Sequence, residues 1–309
     1  MASEESSIPF GRRLRYRAEY FLARGGLLLM DRLSPRGAIR AAAAMGRAWF
    51  VLHGSRRRQA VENVLAAGVA SDPAQARRIA RDSFAHFAMT VAEAVKMGDA
   101  LSAPGWRDRF EWMVPPATEA LLRDSRTGAI LLTGHVGSWA VAGYVLSRAK
   151  TVNGIMKPPY NPYTNRLLGE RMRFDSLRVI PKHDANPARL LSVLKRGEVL
   201  ALLFDQHAMG QPVEIEFFGR PAATYASAAL LHLVSGAAIV FGTCIRTGPM
   251  RFRLELSEPL RFPRTGDRDR DVRSVLADVS GRLEAVVRAH PEQYLWAHRR
   301  WRTKHPPAA

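Results

Sequence analysis

Two residues that can move or hold a proton follow apolar runs typical of buried strands. His135 comes after the run 129–132 and the pair Thr133-Gly134, and Asp205 comes directly after the run 200–204. A histidine titrates near neutral pH and can act as a general base, and a carboxylate beside a buried strand is costly unless it is paired. In open α/β sheets, ligands bind at the C-terminal ends of strands. The pattern indicates a proton-transfer site at His135; a structural histidine and an aspartate that caps a turn are the alternatives.

The segment around His135 resembles a known motif. Thr133-Gly134-His135-Val136-Gly137-Ser138-Trp139 is similar to the first motif of the bacterial lipid A acyltransferases, of the Kdo2-lipid A lauroyl/myristoyl type. They form a branch of the glycerolipid acyltransferase superfamily, whose signature is a histidine, four residues, and then an aspartate or glutamate. The resemblance implies that His135 is the general base, with the acid orienting it and stabilising its charged form.

The acid of that signature would fall at position 140, where this chain has Ala140. Alanine can neither accept the imidazole N–H nor offset the imidazolium charge, and loss of an orienting carboxylate lowers rates by orders of magnitude. Three explanations are open: a glutamate replaced deliberately by alanine, another carboxylate taking over, with Asp205 the best candidate, or a catalytically dead homologue that keeps only a lipid site. Because the surrounding motifs look intact, the sequence favours the first.

Three further blocks carry the resemblance, which covers about 250 residues in order. The first is the rigid, proline-rich loop 157–162 with the helix after it. Here the family resemblance implies that Lys157, Arg171 and Arg173 line the acceptor site, where basic side chains bind phosphate oxygens. Ordinary surface charge is the alternative for each of them.

The second block is Asp205-Gln206 followed by Phe217-Phe218-Gly219, and the third is the aromatic and arginine-rich segment 291–304. By resemblance, Gln206, Phe218, Gly219 and Arg299 are candidate substrate-binding residues. Backbone amides near Gly137, or a positioned arginine, are candidates to stabilise an oxyanion. The 291–304 segment suits either a membrane interface or packing across the mouth of the site. Asp205 and His207 lack further ligands at metal spacing, so no metal is expected.

The surrounding pattern predicts an α/β fold, with a mixed central sheet flanked by helices and a helical N-terminal region. Residues 1–100 are predicted to be helical and 101–309 to form the α/β acyltransferase core as one structural unit. Candidate strands and helices alternate through the core. The strands are Ala129–Leu132, Val152–Met156, Arg178–Pro181, Val199–Phe204, Ala238–Cys244 and Arg251–Leu256; the helices lie near 139–148, 161–173, 186–196, 223–235 and 269–289.

The net charge and the cysteine count limit the classes of binding partner and the cellular compartment that fit this chain. The 309-residue chain carries a formal net charge of +18, which implies an anionic partner. No nucleic-acid signature accompanies it, and arginine clusters suit an anionic phospholipid surface. The single Cys244 excludes an internal disulfide framework and fits a reducing compartment. No stretch reaches the ~20 apolar residues of a spanning helix; the segment Tyr20–Met30 is either an interfacial or a core helix.

The resemblance thus implies an O-acyltransferase that moves a fatty acyl chain from a thioester of acyl carrier protein or coenzyme A to a hydroxyl of a lipid A precursor or related glycolipid. It implies no cofactor, and a peripheral or monotopic place at the cytoplasmic face of the bacterial inner membrane. The alternatives are an acyltransferase for another lipid, such as a phosphatidylinositol mannoside or lysophospholipid, and a catalytically dead lipid-binding homologue. A nucleic-acid binder is a distant third.

Overall fold

A computed structural model of the chain describes residues 9–171 and 176–301, except for the side chain of Arg171. Ten α-helices and nine strands lie within these residues. The helices are α1 (Phe10–Arg32), α2 (Pro35–Leu52), α3 (Gly54–Ala66), α4 (Pro73–Ser102), α5 (Pro116–Arg123), α6 (Trp139–Leu146), α7 (Pro162–Arg171), α8 (Pro187–Lys195), α9 (Ser227–Ser235) and α10 (Arg268–Ala289). The strands are β1 (Phe110–Met113), β2 (Ala129–Thr133), β3 (Val152–Met156), β4 (Leu177–Pro181), β5 (Val199–Leu203), β6 (Val213–Phe217), β7 (Arg220–Thr224), β8 (Ala238–Gly248) and β9 (Arg251–Leu256).

Seven strands form one mixed sheet in the order β1-β9-β8-β2-β5-β3-β4, and β6 and β7 form a separate hairpin. The strands from β8 to β4 are parallel, whereas β9 runs antiparallel to β8. The parallel strands β2 and β5 are neighbours near the middle of the sheet. Their C-terminal ends therefore meet at one edge, where crossover connections leave room for a ligand.

Both faces of the sheet are covered, which explains the apolar runs of β2. Ile130 and Leu132 face an apolar cluster that includes Leu190 of α8 and Leu283 of α10. Ala129 and Leu131 face a second cluster that includes helices α4 and α6. A strand buried on both faces has no polar alternation, as parallel strands generally do not.

The N-terminal helices share this core. Phe50, Val64 and Phe84 belong to the same cluster as Ile130 and Leu132. Helix α4 begins at Pro73, because the Asp72 carboxylate accepts the Gln75 N–H at 2.8 Å and Pro73 occupies the first turn. The N-terminal region is therefore packed onto the sheet that carries the candidate site.

Helix α1 contains the predicted segment Tyr20–Met30 and buries only Tyr16 and Leu27. It contacts α7, where the buried Asn161 side chain donates to the Tyr16 carbonyl at 2.8 Å. Because α7 follows the C-terminal end of β3, α1 lies at the same edge of the sheet as the ends of β2 and β5. None of the helices in the described part of the chain is both long and apolar enough to cross a bilayer.

The predicted fold class is confirmed, and the predicted strands all form, with ends that shift by up to four residues. The sequence analysis missed three strands: β1 at the sheet edge, and the hairpin β6–β7. Exposure explains two of the misses, because three of the four β1 residues are exposed and β7 begins with exposed Arg220 and Pro221. Strand β6 is different: Val213, Ile215 and Phe217 alternate with two glutamates, which is a strand pattern that was overlooked.

Candidate active site

Strand register brings His135 and Asp205 together. Thr133 of β2 is paired with Leu203 of β5, and each functional residue lies two positions further along its own strand. The last ladder contact is the Phe204 N–H to the Thr133 carbonyl, at 3.3 Å. Residues 70 positions apart in sequence thus reach the same level at the C-terminal edge of the sheet.

The Asp205 carboxylate binds both the ring and the main chain of His135. One oxygen is 2.7 Å from His135 Nδ1, and the other accepts the His135 backbone N–H at 2.8 Å. Nδ1 must carry the proton in this contact, so Nε2 keeps its lone pair. The His135 side chain is 16 % exposed and that of Asp205 is 3 % exposed. The pair therefore has the geometry of a histidine held by a buried carboxylate, with the second ring nitrogen not bound by that carboxylate.

The environment of Asp205 keeps it ionised. Burial acts to raise the pKa of Asp205, but the charge and hydrogen bonds of His135, together with the nearby Arg300 guanidinium, outweigh it and hold the pKa below its ordinary value. Tyr294 is hydrogen-bonded to the same carboxylate, and burial, followed by the carboxylate charge, raises the pKa of Tyr294 well above 10. Tyr294 thus stays protonated and donates to Asp205.

Gln206 reaches the accessible nitrogen of His135. Its Nε2 lies 3.3 Å from His135 Nε2, a distance at which the amide N–H donates to the ring lone pair. The Gln206 amide therefore lies within hydrogen-bond reach of the ring nitrogen that Asp205 leaves unbound.

The loop after His135 is held tightly by its neighbours. Gly137 has φ +61°, and a Cβ at this position would lie 2.3 Å from the Cys244 carbonyl oxygen. Its N–H donates to the Gln293 carbonyl at 2.9 Å, and the Ser138 N–H donates to the Cys244 carbonyl at 2.6 Å. Neither amide is free for an oxyanion in this structure, contrary to the expectation for amides near Gly137. Gly137 acts here through its conformation.

A buried polar network lies behind this loop. Glu93 of α4 forms a salt bridge with Arg246 of β8, and the Ser138 hydroxyl donates to Glu93 at 2.6 Å. His86 lies 3.0 Å from the Gly137 carbonyl through Nε2 and contacts Arg246 through Nδ1. Burial, together with the Arg246 charge, lowers the pKa of His86 to about 3, so the ring is neutral and can donate to Gly137. The network ties α4 and β8 to the loop that carries His135.

Ala140 lies in the first turn of α6 and packs against the apolar cluster on the α4 side of the sheet. The orienting contact to His135 Nδ1 is already made by Asp205. This contact is the one that the second explanation for Ala140 requires, in which another carboxylate takes over.

The other predicted basic residues fall at different places. Lys157 is exposed just after β3, and its ammonium contacts the ring and hydroxyl of Tyr160. Arg171 ends α7 with its side chain outside the described part, and Arg173 lies outside the described residues. The structure thus places Lys157 at the correct edge of the sheet but in contact with Tyr160 and not with the His135–Asp205 pair.

Phe218 and Gly219 form the turn of the β6–β7 hairpin, with φ of +53° and +68°. The Phe218 N–H donates to Glu284 of α10 at 2.7 Å, and its ring packs against Trp296. The turn predicted at Gly219 is present, and the contacts of Phe218 are with α10 and the C-terminal segment and not with His135.

The C-terminal segment packs across the site. The Leu295 N–H donates to the His135 carbonyl at 3.0 Å, and Trp296 is 1 % exposed. Arg300 is 3 % exposed, and its guanidinium donates to the Gln206 and Ala223 carbonyls. Only its neighbour Arg299 is exposed. The sequence left two alternatives for this segment, a membrane interface or packing across the mouth of the site. Residues 291–301 pack across the mouth of the site.

Sequence reasoning missed Tyr294, His298, Arg300, Glu93 and Arg246 as parts of the site. Tyr294, His298 and Arg300 lie in the segment 291–304 that was singled out, but nothing in that segment indicates which of its side chains turn inward. Glu93 and Arg246 belong to elements far from His135 in sequence and fall in no motif. Glu93 alone gave a hint, since it interrupts the apolar stretch of α4. In residues 9–171 and 176–301, no group of three or more His, Cys, Asp or Glu side chains is arranged to hold a metal ion.

Comparison with known proteins agrees with this geometry. A family model described as bacterial lipid A biosynthesis acyltransferase matches residues 8–303, nearly the whole chain. No curated protein matches the chain. The matched range includes both strand ends and the C-terminal segment that packs over them. The chain therefore belongs to the bacterial lipid A biosynthesis acyltransferase family.

Proposed function

We propose that this protein transfers a fatty acyl group from a thioester of acyl carrier protein or coenzyme A to a hydroxyl of a lipid A precursor or related glycolipid, with His135 as the general base. The observation that carries the proposal is the His135–Asp205 pair, with Nδ1 bound to the carboxylate at 2.7 Å and Nε2 left to contact the Gln206 amide. Family membership supports lipid A acyltransferase activity in general.

In this mechanism His135 Nε2 takes the proton of the acceptor hydroxyl as its oxygen attacks the thioester carbonyl. The tetrahedral intermediate collapses with cleavage of the C–S bond, and the imidazolium returns the proton to the leaving thiolate. The products are an ester and a free thiol. Asp205 holds the imidazole orientation and stabilises its charge. We assign the Gln206 amide as the donor to the oxyanion, because it already lies 3.3 Å from His135 Nε2.

An apolar surface beside His135 suits the acyl chain. The Trp139 ring lies 5.1 Å from the His135 ring, centroid to centroid, and 6.1 Å from the ring of Phe87. Phe87 and Val91, one helical turn apart on α4, are 42 % and 47 % exposed. Burying such side chains against a hydrocarbon tail is favourable by about 25 cal/mol per Å².

Replacing His135 with alanine should lower acyl transfer by about 10²–10⁴-fold, the usual contribution of a general base. The measurement is ester formation by mass spectrometry, with acyl carrier protein or coenzyme A thioesters and lipid A precursor. The matched control is His183→Ala, because the His183 side chain is 71 % exposed beyond β4. Equal rates for the His135 variant and the parent would refute the mechanism.

The same assay separates the alternatives. Transfer to a phosphatidylinositol mannoside or a lysophospholipid, but not to lipid A precursors, would indicate an acyltransferase for another lipid. Glycolipid binding without transfer to any acceptor would indicate the lipid-binding homologue.

We also propose that the protein works as a peripheral protein at the cytoplasmic face of the bacterial inner membrane. Phe10, Leu14, Phe21 and Leu28 of α1 are 57–77 % exposed, and their spacing puts them on one helix face. This helix lies at the edge of the sheet that carries His135. The net charge of +18 favours an anionic lipid surface.

The double substitution Phe21→Ser and Leu28→Ser should weaken partition into vesicles of anionic phospholipid by at least about tenfold per residue, given 1.5–3 kcal/mol for each large apolar side chain. Co-sedimentation measures it. The control is Val179→Ser with Val234→Ser, two exposed valines of β4 and α9. If both double variants bind vesicles like the parent, the assignment of α1 as the lipid-facing helix is wrong.

A further inference from the structure

A cleft of about 390 Å³ lies beside the His135–Asp205 pair, and we call it the basic cleft. It is lined by Arg56, His207, Met209, His298 and Arg299. Arg56 belongs to α3 and reaches the C-terminal segment, where its guanidinium donates to the Ala297 carbonyl at 3.2 Å. The walls of the basic cleft are thus built from three distant parts of the chain: α3, the loop after β5 and the segment after α10.

The basic cleft is next to the reacting atoms. Gln206, which contacts His135 Nε2, is followed by His207, and the His207 N–H donates to His298 Nε2 at 3.0 Å. The charges of both Asp205 and His135 act on His298. His207, which lines the cleft, directly follows Gln206, whose amide contacts His135. A group held in the cleft is therefore close to His135.

Two guanidinium groups supply the charge of the cleft. Burial, followed by the effects of His135, Arg300 and Arg56, lowers the pKa of His298 to about 4 although Asp205 opposes the shift, so this ring is neutral at pH 7. Arg56 and Arg299 form no ion pair within residues 9–171 and 176–301. No carboxylate lines the cleft. Two unneutralised arginines in a concave polar site fit a phosphate group better than any neutral ligand.

We propose that Arg56 and Arg299 bind a phosphate group of one of the two substrates and so place its reacting end at His135. This inference rests on the acyltransferase function proposed above. The phosphate has two chemical sources: a phosphate ester on the glycolipid acceptor, or the group that joins the thioester arm to its carrier, which is a phosphodiester in acyl carrier protein and a diphosphate in coenzyme A. Each source presents anionic phosphate oxygens to the cleft.

The test uses a double variant in which Arg56→Gln and Arg299→Gln are combined. Its matched control is a second double variant, in which Arg261→Gln and Arg264→Gln are combined. The control residues are also exposed, and their guanidinium groups also contact backbone carbonyls, those of Gly236 and Val234. They lie at the opposite edge of the sheet, near the start of β8. The control therefore removes the same net charge without touching the cleft.

Kinetics separate the two sources of phosphate. If the acceptor phosphate binds here, the Arg56 and Arg299 variant raises the acceptor KM by about 10–100-fold and no longer prefers the phosphorylated acceptor to its dephosphorylated form. If the phosphate linkage of the donor binds here, the KM for acyl-coenzyme A rises instead, and the preference for acyl-coenzyme A over acyl-pantetheine disappears. Equal KM values for parent, control and variant with all four substrates overturn the proposal.

A binding measurement keeps this test separate from the proposed reaction. Inorganic pyrophosphate should bind the parent and the His135→Ala variant alike, and at least about tenfold more weakly to the Arg56 and Arg299 variant, in a calorimetric titration. That result supports the cleft even if no acyl transfer is found. Equal pyrophosphate affinity for the parent and the cleft variant contradicts it, whatever the activity assay shows.

Discussion

Replacing Asp205 with asparagine is expected to lower kcat for acyl transfer by about 10³–10⁴-fold, while the protein stays folded. Asparagine keeps the shape, but its amide N–H can donate to His135 Nδ1 and stabilise the tautomer in which Nε2 carries the proton. The base then has no lone pair for the acceptor hydroxyl, as in the corresponding substitution of a serine-protease triad. Steady-state rates and circular dichroism, measured on the same preparation, separate the loss of the base from a loss of fold.

The variant Ala140→Glu tests whether Asp205, or an acid at position 140, orients His135. If Asp205 is the orienting acid, a glutamate at position 140 should leave the rate within a few-fold of the parent and should not rescue Asp205→Asn. The reason is that Asp205 already holds both His135 Nδ1 and its backbone N–H. A gain of orders of magnitude from Ala140→Glu would restore the explanation in which the alanine replaces a catalytic glutamate, and would show that Asp205 alone is insufficient.

The second large effect is on stability. Glu93→Gln should lower the free energy of unfolding by about 3–5 kcal/mol, because it leaves the Arg246 guanidinium buried without its counter-charge. The side chains of Glu93 and Arg246 are 0 % and 8 % exposed. Arg246→Met should have a cost of the same size, since it strands the Glu93 carboxylate. Urea unfolding, followed by fluorescence, gives both values.

The double variant Glu93→Gln with Arg246→Met tests whether loss of charge pairing causes these losses of stability. Removing both charges leaves neither uncompensated, so its loss of stability should be several kcal/mol smaller than the sum of the single losses. Arg253→Met with Glu111→Leu, the exposed ion pair between β9 and β1, is the control and should change stability by less than about 1 kcal/mol. Additive losses at Glu93 and Arg246 would show that packing, and not charge pairing, stabilises this region.

Local sequence patterns predicted the site as far as the two strand ends. Apolar runs located β2 and β5, and a functional residue just beyond each run is enough to place both at one edge once the strands are parallel neighbours. The pairing itself was not predictable, because nothing local in β2 or β5 specifies that they are adjacent. Asp205 was therefore only a candidate partner until the register of Thr133 with Leu203 was known.

The parts that sequence reasoning placed wrongly depend on long-range packing. Arg300 lies in an arginine-rich run of the kind found on protein surfaces, yet its side chain is buried. Burial is possible because its guanidinium donates to the carbonyls of Gln206 and Ala223. The amides near Gly137 resembled oxyanion donors, yet the Gln293 and Cys244 carbonyls accept them. In both cases the hydrogen-bond partners come from distant elements of the chain. The hydrophobic periodicity of a single segment cannot predict such partners.

The C-terminal segment has a consequence for biosynthesis. Leu295, His298 and Arg300 bind the main chain at His135, His207 and Gln206, so residues after position 291 add a second link between the two strand-end loops, which Asp205 and His135 already join directly. A nascent polypeptide that already contains His135 and Asp205 still lacks this second link. The arrangement of the two loops should therefore be complete only after the C-terminal segment has been synthesised and has packed against them.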